Sequence, residues 1–341
     1  MTTATPLAVI PGALVEDVLR DAHAEALRIV EEVYVQSVGN RLVNPESLFL
    51  RPDAEARERV IALPAYVPEP TPAMGIKWIS SFPGNLSLGL PRASAAIVLN
   101  DVATGFPVAL LEGARISGLR TALSALVGAN ALTAGARRAA KVAILGSGYI
   151  AANTVSAFLA DGWTWDQAVV FDLATERAEA FAGRFAGRAE PGAAGLAVAH
   201  SAEEALTDAD LVLLTTTAIT PHIDSLAPLA PHATVLHMSL RDLTADALAG
   251  AEHFVDDVSH ALRERTSLAL AVEAGTVQRA AIRAVGEVLI GDCRRTPDRR
   301  AVYAPFGLGS LDIALASLVL DRARDLPEAL IVEDFSGTAA Q

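Results

Sequence analysis

The chain contains little of several residue types that mark particular protein classes. Its single cysteine, Cys293, excludes an internal disulfide and a cysteine-ligated zinc cluster, and we expect no metal site. Aromatic residues account for only 5% of a chain that is 52% hydrophobic, so the core must consist mainly of Ala, Val and Leu. No apolar run reaches the roughly 18 residues that a membrane span needs. The N-terminus lacks the basic start and apolar stretch of a secretory signal, which predicts a cytoplasmic protein.

Positive charge is also scarce. The formal net charge is −13, which argues against nucleic acid and anionic membranes as partners, because binding to phosphates needs a basic surface. Only Lys77 and Lys141 are lysines, and every other basic side chain apart from histidine is an arginine. Lys77 lies in the apolar run 74–79, where a charged side chain requires an explanation. We therefore expect neither nucleic acid nor a membrane as a partner.

A glycine-rich loop follows the apolar run 142–145, which predicts a buried strand. Gly146-x-Gly148-x-x-Ala151 then leads into an apolar segment typical of a helix. Gly146 permits a tight turn, Gly148 lets backbone N–H groups approach a pyrophosphate, and the small Ala151 lets the helix pack against the strand. The N-terminus of such a helix favours phosphate, because the helix dipole is positive there. This spacing predicts a dinucleotide-binding loop.

The expected choice of cofactor depends on one acidic residue. A second strand, 168–171, ends in Asp172, whose carboxylate can accept both ribose hydroxyls and would repel a 2′-phosphate, so NAD is favoured over NADP. A βαβ unit that binds no nucleotide is the alternative interpretation. The residues predicted to contact the cofactor are Gly146, Ser147, Gly148, Tyr149, Ile150, Asp172, Thr215, Thr216, Thr217, Met238 and Gly307.

The order of apolar segments predicts two domains. Residues 11–38 are predicted to form one long amphipathic helix, and four short strands follow it, as in an α+β domain with an antiparallel sheet. From about 118 to 305, strands and helices alternate, which predicts an α/β fold with a doubly wound parallel sheet of the Rossmann type. We assign the α+β domain to 1–117, completed by a C-terminal helix within 306–330, and 331–341 to a tail.

Several motifs along nearly the whole chain resemble those of one family. They are Gly75–Ile79, Asp101–Val108, Leu119–Ala122, Gly146–Gly148, Val255–Asp257 and Gly307–Asp312. On these motifs the chain resembles the ornithine cyclodeaminase/mu-crystallin family. The resemblance implies a two-domain oxidoreductase that binds NAD and forms a homodimer.

Within that family the chain is most similar to the dehydrogenases of siderophore-type 2,3-diaminopropionate biosynthesis, a branch of secondary metabolism. The most specific match is the run Gly75–Asn85, and Val60–Pro64 and Met238–Asp242 also match that subgroup. Such enzymes oxidise N-(2-amino-2-carboxyethyl)-L-glutamate with NAD and release 2,3-diaminopropionate and 2-oxoglutarate. The resemblance implies this reaction, and with it a small-molecule substrate derived from amino acids, for the present chain.

The chain departs from the family pattern at three places. Ornithine cyclodeaminases have a Glu where this chain has Ile61 and Ala62, and a Gly-Gly-Asp loop where it has 240–244. Both changes argue against ornithine cyclisation. His237 replaces an Asn that is common in the family, and its effect has no explanation in the sequence. The alternative activities are ornithine cyclodeaminase, alanine dehydrogenase and ketimine reductase, and the alternative outside enzymes is a nucleotide-binding protein like mu-crystallin.

The implied substrate has three carboxylates and therefore requires cations. Arginine binds carboxylates bidentately, whereas lysine acts as a point charge. Correspondence with the family most strongly supports Lys77 and Arg120 as substrate-binding residues, then Arg92, with Arg51 as a further candidate. The alternatives are a solvated strand edge for Arg51, a side chain that extends to solvent for Lys77, and a structural ion pair for Arg120.

Asp242 follows the fifth predicted parallel strand, at the carboxyl edge where open α/β sheets bind ligands. It matches the family's catalytic aspartate, and as a proton-handling group we expect it to ionise near the working pH. The alternative role is to cap a helix over 243–248. Lys77 is a second catalytic candidate, as a proton donor whose pKa burial would lower. Asp312 is predicted to cap the final helix rather than to take part in the chemistry.

Overall fold

A computed structural model of the protein describes residues 6–53, 56–187 and 195–337 and divides the chain into two compact units. Unit 1 comprises Met1–Arg120 and Leu308–Gln341, and unit 2 comprises Thr121–Gly307. The division places Arg120 at the end of one unit and Gly307 at the end of the other. Each unit has its own sheet.

The strands are β1 (Leu7–Ile10), β2 (Leu48–Leu50), β3 (Arg59–Val67), β4 (Ala73–Ser81), β5 (Ala93–Asn100), β6 (Pro107–Glu112), β7 (Arg138–Leu145), β8 (Thr164–Phe171), β9 (Leu196–Val198), β10 (Leu211–Leu214), β11 (Thr234–His237), β12 (Glu252–Val255), β13 (Ile282–Ala284), β14 (Ala301–Tyr303) and β15 (Leu330–Val332). The α-helices are α1 (Gly12–Asp21), α2 (His23–Val38), α3 (Gly113–Leu132), α4 (Tyr149–Ala160), α5 (Thr175–Phe185), α6 (Ala202–Leu206), α7 (Ala245–Leu248), α8 (Val258–Ala261), α9 (Ser267–Glu273), α10 (Val285–Leu289) and α11 (Gly309–Ala323). Short 3₁₀ helices span Pro83–Leu88 and Arg279–Ala281.

Unit 1 contains a seven-stranded mixed sheet in the order β15-β1-β6-β5-β4-β3-β2. The pair β1–β6 is parallel, and the other neighbours are antiparallel. The helix α11 packs against β3, β4 and β5 and against α1 and α2. Side chains along β4 alternate between the two faces of the sheet, so Ala73, Gly75 and Lys77 are buried while Trp78 is exposed. This alternation places a lysine in the interior of unit 1.

Two sequence-based predictions for unit 1 are wrong. The predicted single helix over 11–38 is divided at Ala22, whose backbone leaves the helical region at φ −104° and ψ 15°. The apolar periodicity hides this break, because Ala22 and Ala26 are both buried and the spacing of three and four residues continues across it. The predicted tail over 331–341 begins inside β15, which pairs with β1, although each residue of β15 is exposed. Residues 338–341 of that tail lie outside the described residues.

Unit 2 contains an eight-stranded parallel sheet in the order β13-β12-β14-β11-β10-β7-β8-β9. Its central strands β10 and β11 are buried along their whole length, as expected for parallel strands covered on both faces. The order of strands reverses between β7 and β10, and such a switch point is where doubly wound sheets bind ligands. The predicted fold class is confirmed. In the described ranges, no helix combines the length and apolar character that crossing a membrane requires.

Candidate functional site

The predicted dinucleotide loop connects β7 to α4 in unit 2. Gly146 has φ +91°, and a Cβ there would lie 2.9 Å from the carbonyl oxygen of Thr215, so the position requires glycine. Gly148 precedes the first turn of α4 and has open space around the position of a Cβ. The first N–H groups of α4 have no intrahelical partners, so they can donate to an anion. The loop thus has the form that a pyrophosphate requires.

Asp172 binds this loop at the end of β8. Its Oδ2 accepts hydrogen bonds from the Ser147 N–H at 2.9 Å and the Ser147 hydroxyl at 2.7 Å, and its Oδ1 accepts from the Ala174 N–H at 3.1 Å. Burial alone would raise the pKa of Asp172, but these hydrogen bonds and the charge of Arg177 lower it below its ordinary value. Asp172 is therefore an anion beside the glycine loop, where the sequence predicts a ribose-binding acid.

Most other predicted cofactor contacts follow the carboxyl ends of neighbouring strands. Thr215, Thr216 and Thr217 come directly after β10, Met238 follows β11, and Gly307 lies beyond β14. Parallel strands bring these ends to one edge of the sheet. The Thr215 hydroxyl lies within hydrogen-bonding distance of the carbonyl oxygens of Leu145, at 3.2 Å, and Gly146, at 3.0 Å, whereas Thr217 is exposed. At the start of α4, Tyr149 is exposed and Ile150 is partly buried.

The buried Asp256 positions the loop that contains Gly307. Its carboxylate accepts hydrogen bonds from the N–H groups of Phe306 at 3.0 Å, Gly307 at 2.6 Å and Asp257 at 2.9 Å. Burial raises the pKa of Asp256 above its ordinary value, although the three N–H groups oppose the shift. Gly307 has φ +100°, a conformation that favours glycine. Asp256 therefore has a structural role.

Asp242 lies at the centre of a polar cluster at the same edge of unit 2. Its side chain is fully buried, and Oδ1 accepts a short hydrogen bond from the Thr216 hydroxyl. Oδ2 accepts another short hydrogen bond from the Ser239 hydroxyl and lies 3.1 Å from Nε2 of His237. The sequence singled out Asp242 and Thr216 but assigned no role to Ser239, which follows β11, or to His237, the last residue of β11. The signals it offered were the replacement of a family Asn by His237 and the match of Met238–Asp242 to the subgroup.

The structure argues against the alternative capping role of Asp242 and against its expected titration. The residue that caps α7 is Thr244, whose hydroxyl accepts from the Ala247 N–H, so Asp242 is not a helix cap. Burial alone would raise the pKa of Asp242, but the hydrogen bond and charge of His237 and the hydroxyls of Ser239 and Thr216 lower it below its ordinary value. The expectation that Asp242 ionises near the working pH is therefore wrong. This carboxylate is an anion at neutral pH.

Unit 1 contains a cluster of two cations and one carboxylate, in which Lys77 and Asp312 are buried and Arg120 is partly buried. Lys77 Nζ lies 2.5 Å from Oδ2 of Asp312 and 3.1 Å from the Ser117 hydroxyl, and Arg120 Nε lies 3.3 Å from Oδ1 of Asp312. Burial and the nearby charge of Arg120 lower the pKa of Lys77 to about 8, although Asp312 opposes the shift. One anion for two cations leaves an excess positive charge, which suits a cluster that binds a carboxylate.

Asp312 is the residue of this cluster that the sequence-based prediction misassigned. α11 begins after Leu308, and the Asp312 carboxylate is engaged by Lys77 and Arg120 rather than by the start of its own helix. The expectation that Asp312 caps the helix is wrong. The sequence did contain a signal for this pairing. A lysine within an apolar run needs a buried anion, and Asp312 is the acid of the final helix that has apolar neighbours, Leu311 and Ile313, on both sides.

The two other predicted substrate cations lie further along the sheet of unit 1. Arg51 follows β2, and its guanidinium lies 5.5 Å from the centroid of the Phe49 ring. Arg92 precedes β5, and burial together with the charge of Arg57 lowers its pKa. The strand register places both at the Ser81 end of β4. Ser81 is four residues beyond Lys77, which is about 13 Å along a strand.

The chain is similar in sequence and in fold to several enzymes of known activity. The chain is 28% identical over 294 residues to the N-((2S)-2-amino-2-carboxyethyl)-L-glutamate dehydrogenase of Staphylococcus aureus. This match covers 84% of this chain and 86% of that protein. It is 27% identical over 286 residues to a Delta(1)-pyrroline-2-carboxylate reductase of Bacillus cereus. That match covers 80% of this chain and 84% of the reductase. The solved structure of an archaeal alanine dehydrogenase dimer with bound NAD has a TM-score of 0.81, with 22% identity, and the match covers 93% of this chain and 96% of that one.

These likenesses agree with a family model. The model for the ornithine cyclodeaminase/mu-crystallin family matches residues 15–326, which includes the glycine loop of unit 2 and the Lys77 cluster of unit 1. The family resemblance seen in the sequence motifs is thereby confirmed. The chain belongs to the ornithine cyclodeaminase/mu-crystallin family.

Proposed function

We propose that the chain is an NAD-dependent dehydrogenase that cleaves N-(2-amino-2-carboxyethyl)-L-glutamate oxidatively into 2,3-diaminopropionate and 2-oxoglutarate. The observation that carries the proposal is the pair of cations, the buried Lys77 and the partly buried Arg120, around the buried carboxylate of Asp312. An excess cation inside a protein favours an anionic ligand, because it is otherwise costly to bury. The similarity to the Staphylococcus aureus dehydrogenase supports the choice of substrate. We also propose that the protein is cytoplasmic, as the sequence predicts.

The residues around the glycine loop fit NAD. Gly146, Gly148 and the start of α4 would hold the pyrophosphate, and the anionic Asp172 would accept the ribose hydroxyls and disfavour a 2′-phosphate. The NAD bound to the archaeal alanine dehydrogenase supports the same cofactor. When bound, NAD supplies the acceptor for the hydride that leaves the glutamyl Cα.

The chain's own residues would assist the steps on the substrate. Lys77 and Arg120 bind the carboxylate next to the reacting carbon, and Lys77, whose pKa is about 8, can exchange a proton close to neutral pH. In unit 2, Asp242 is an anion, and we assign to it the stabilisation of positive charge that develops on the iminium. Arg51 and Arg92 are available for the more distant carboxylates. The balanced reaction consumes one NAD⁺ and one water and yields NADH and a proton.

A substrate panel tests the proposed function. Purified protein is incubated with NAD and either free amino acids or N-carboxyalkyl amino acids, NADH is followed by absorbance, and the products are identified by mass spectrometry. We expect turnover of N-(2-amino-2-carboxyethyl)-L-glutamate, and its loss in Lys77→Met but not in the control Lys141→Met. Turnover of alanine or ornithine, or reduction of pyrroline-2-carboxylate by NADH, would assign the chain to another activity of the family. NAD binding without turnover of any compound would support the non-catalytic alternative.

We further propose that the protein forms a homodimer through unit 1. Trp78, Leu48 and Leu50 are exposed, and Met74 and Ile76 face the same side of β4 as Trp78. An exposed apolar sheet surface of this kind is typical of an interface. Sedimentation equilibrium is expected to give twice the chain mass of 35.5 kDa. Trp78→Glu is expected to give the monomer, whereas Leu173→Glu, at an exposed position in unit 2, is the matched control.

A further inference from the structure

His237 has a defined relationship to Asp242 that the proposed function does not use. The imidazole terminates β11 and is 2% exposed, and its Nε2 lies 3.1 Å from Oδ2 of Asp242. The backbone N–H of Asp242 also approaches the same Nε2, at 3.4 Å. One ring nitrogen cannot donate to the carboxylate and accept from the N–H at once. The shorter, charge-assisted contact is the stronger, so Nε2 carries the proton and donates to Asp242.

The two other donors to Asp242 are hydroxyl groups that also contact backbone atoms. The Thr216 hydroxyl donates to Oδ1 and accepts from the Ala218 N–H at 3.1 Å. The Ser239 hydroxyl donates to Oδ2 and lies 3.1 Å from the carbonyl oxygen of Leu214. Each hydroxyl has one proton to donate and remains neutral in every step. His237 is the donor of this group that can also carry a positive charge.

Other charged groups near Asp242 are less well placed. His222 Nε2 lies 4.0 Å from Oδ1, beyond hydrogen-bonding distance, and its side chain is 44% exposed. The neighbouring cation in sequence, Arg241, donates to the backbone carbonyl oxygens of Glu264 and Arg265. Among the described residues around Asp242, His237 is thus the titratable group in hydrogen-bonding contact with its carboxylate.

We propose that His237 is a positioning residue that orients the Asp242 carboxylate and holds it as an anion for the stabilisation of the iminium. This inference rests on the role of Asp242 in the proposed function. The imidazole fixes one carboxylate oxygen, so the other lone pairs of Asp242 have a defined direction. The hydrogen bond and charge of His237 both lower the pKa of Asp242.

Variants of His237 separate positioning from simple packing. Gln places its amide nitrogen as many bonds from Cβ as His places Nε2, so His237→Gln keeps a donor but cannot carry charge. His237→Ala removes both. His253→Gln is the matched control, since His253 is also a buried strand histidine of unit 2, on β12. Three quantities are measured for each variant: kcat, the KM for substrate and the Kd for NAD.

A fourth measurement reports on Asp242 without any turnover. The protein is labelled with ¹³C in the aspartate carboxyl groups, and the Asp242 signal is identified by its absence in Asp242→Asn. We expect His237→Ala to move the carboxyl titration to higher pH and to lower kcat about 10- to 100-fold, because a misplaced catalytic group costs about that much. His237→Gln is expected to restore most of kcat but only part of the shift. The NAD affinity and the His253→Gln protein should resemble wild type.

The outcomes distinguish this inference from the proposed function. An unchanged carboxyl titration and unchanged kcat in His237→Ala would overturn the inference while leaving the dehydrogenase activity in place. Loss of NAD affinity and of folding cooperativity in His237→Gln as well as in His237→Ala would also overturn it, because His237 would then be structural. If wild-type protein does not turn over the named substrate, the proposed function fails. A shifted titration in His237→Ala would still support the coupling of His237 to Asp242.

Discussion

The ammonium group of Lys77 lies 2.5 Å from Oδ2 of Asp312, and both side chains are almost completely buried within unit 1. Each ion alone would be costly to desolvate. The pair is tolerable because Asp312 also accepts a hydrogen bond from Arg120, and Lys77 also donates one to the Ser117 hydroxyl. The arrangement carries one more positive than negative charge. It therefore creates a locally positive site, suited to an anionic ligand, in a chain whose formal net charge is −13.

Removal of the Asp312 charge should destabilise unit 1. Asp312→Asn leaves the buried Lys77 and the partly buried Arg120 without this anion, and breaking a buried pair such as Lys77–Asp312 costs about 3 kcal/mol or more. Urea unfolding measures the loss as a lower midpoint at an unchanged slope. Asp321→Asn, at an exposed position on the same helix α11, is the control and should leave the midpoint near wild type. Equal midpoints for the two variants would show that the ion pair does not stabilise the fold.

Substrate binding should weaken as the pH rises through about 8. The pKa of Lys77 is lowered to about 8, so Lys77 is a cation below that pH and loses its charge above it. A neutral amine attracts a carboxylate less, so kcat/KM should fall on the alkaline side with a midpoint close to this pKa. Lys77→Arg should move that limb to higher pH, because arginine stays charged.

The control for the pH experiment is Lys141→Arg. Lys141 is the other lysine of the chain, and its ammonium donates to the carbonyl oxygens of Glu204 and Thr207 in unit 2. This variant should keep the wild-type profile. A limb that persists unchanged in Lys77→Arg would assign the titration to a different group, such as the substrate amine.

The sequence predicted the parallel sheet of unit 2 because its signals are local. Apolar strands, the glycine loop after β7 and the acid after β8 each lie within a short segment, and their alternation defines the fold class. The division of the first helix at Ala22 left no such signal, since buried residues continue in register across it. The short strand β15 is exposed at every residue, so burial gave no pattern to detect.

In the candidate site, too, the sequence predicted single residues but not the partners that packing brings to them. Lys77 was conspicuous as a lysine in an apolar run, but its partner Asp312 is 235 residues away, and pairing over that distance is set by packing that a single sequence does not display. Asp242 was predicted from its place after a parallel strand. Its lowered pKa depends on Ser239, Thr216 and His237, which come together only when β10 and β11 pair.

Asp172 should determine the preference for NAD over NADP. Its negative charge repels a 2′-phosphate, and its oxygens accept hydrogen bonds from the ribose hydroxyls. Together these effects favour the binding of NAD over NADP by a free energy on the order of 2–4 kcal/mol. Asp172→Ala should narrow the gap between the two dissociation constants, measured by fluorescence titration. Ser147→Ala is the control, because it removes the hydroxyl that donates to Asp172 at 2.7 Å but keeps the carboxylate charge. Equal affinities of the wild type for NAD and NADP would contradict the assignment.

Asp242 should be essential for turnover yet contribute no pH limb near neutrality. Asp242→Asn keeps the size of the side chain but removes the negative charge and the ability to take a proton, so kcat should fall about 10²–10⁴-fold with folding unchanged. Because the pKa of Asp242 is below its ordinary value, its active anion is present at neutral pH and is lost only as the pH falls through that low pKa. The control is Asp246→Asn, an exposed carboxylate in α7. Normal turnover in Asp242→Asn would remove this residue from the mechanism and leave Lys77 as the proton-exchanging group.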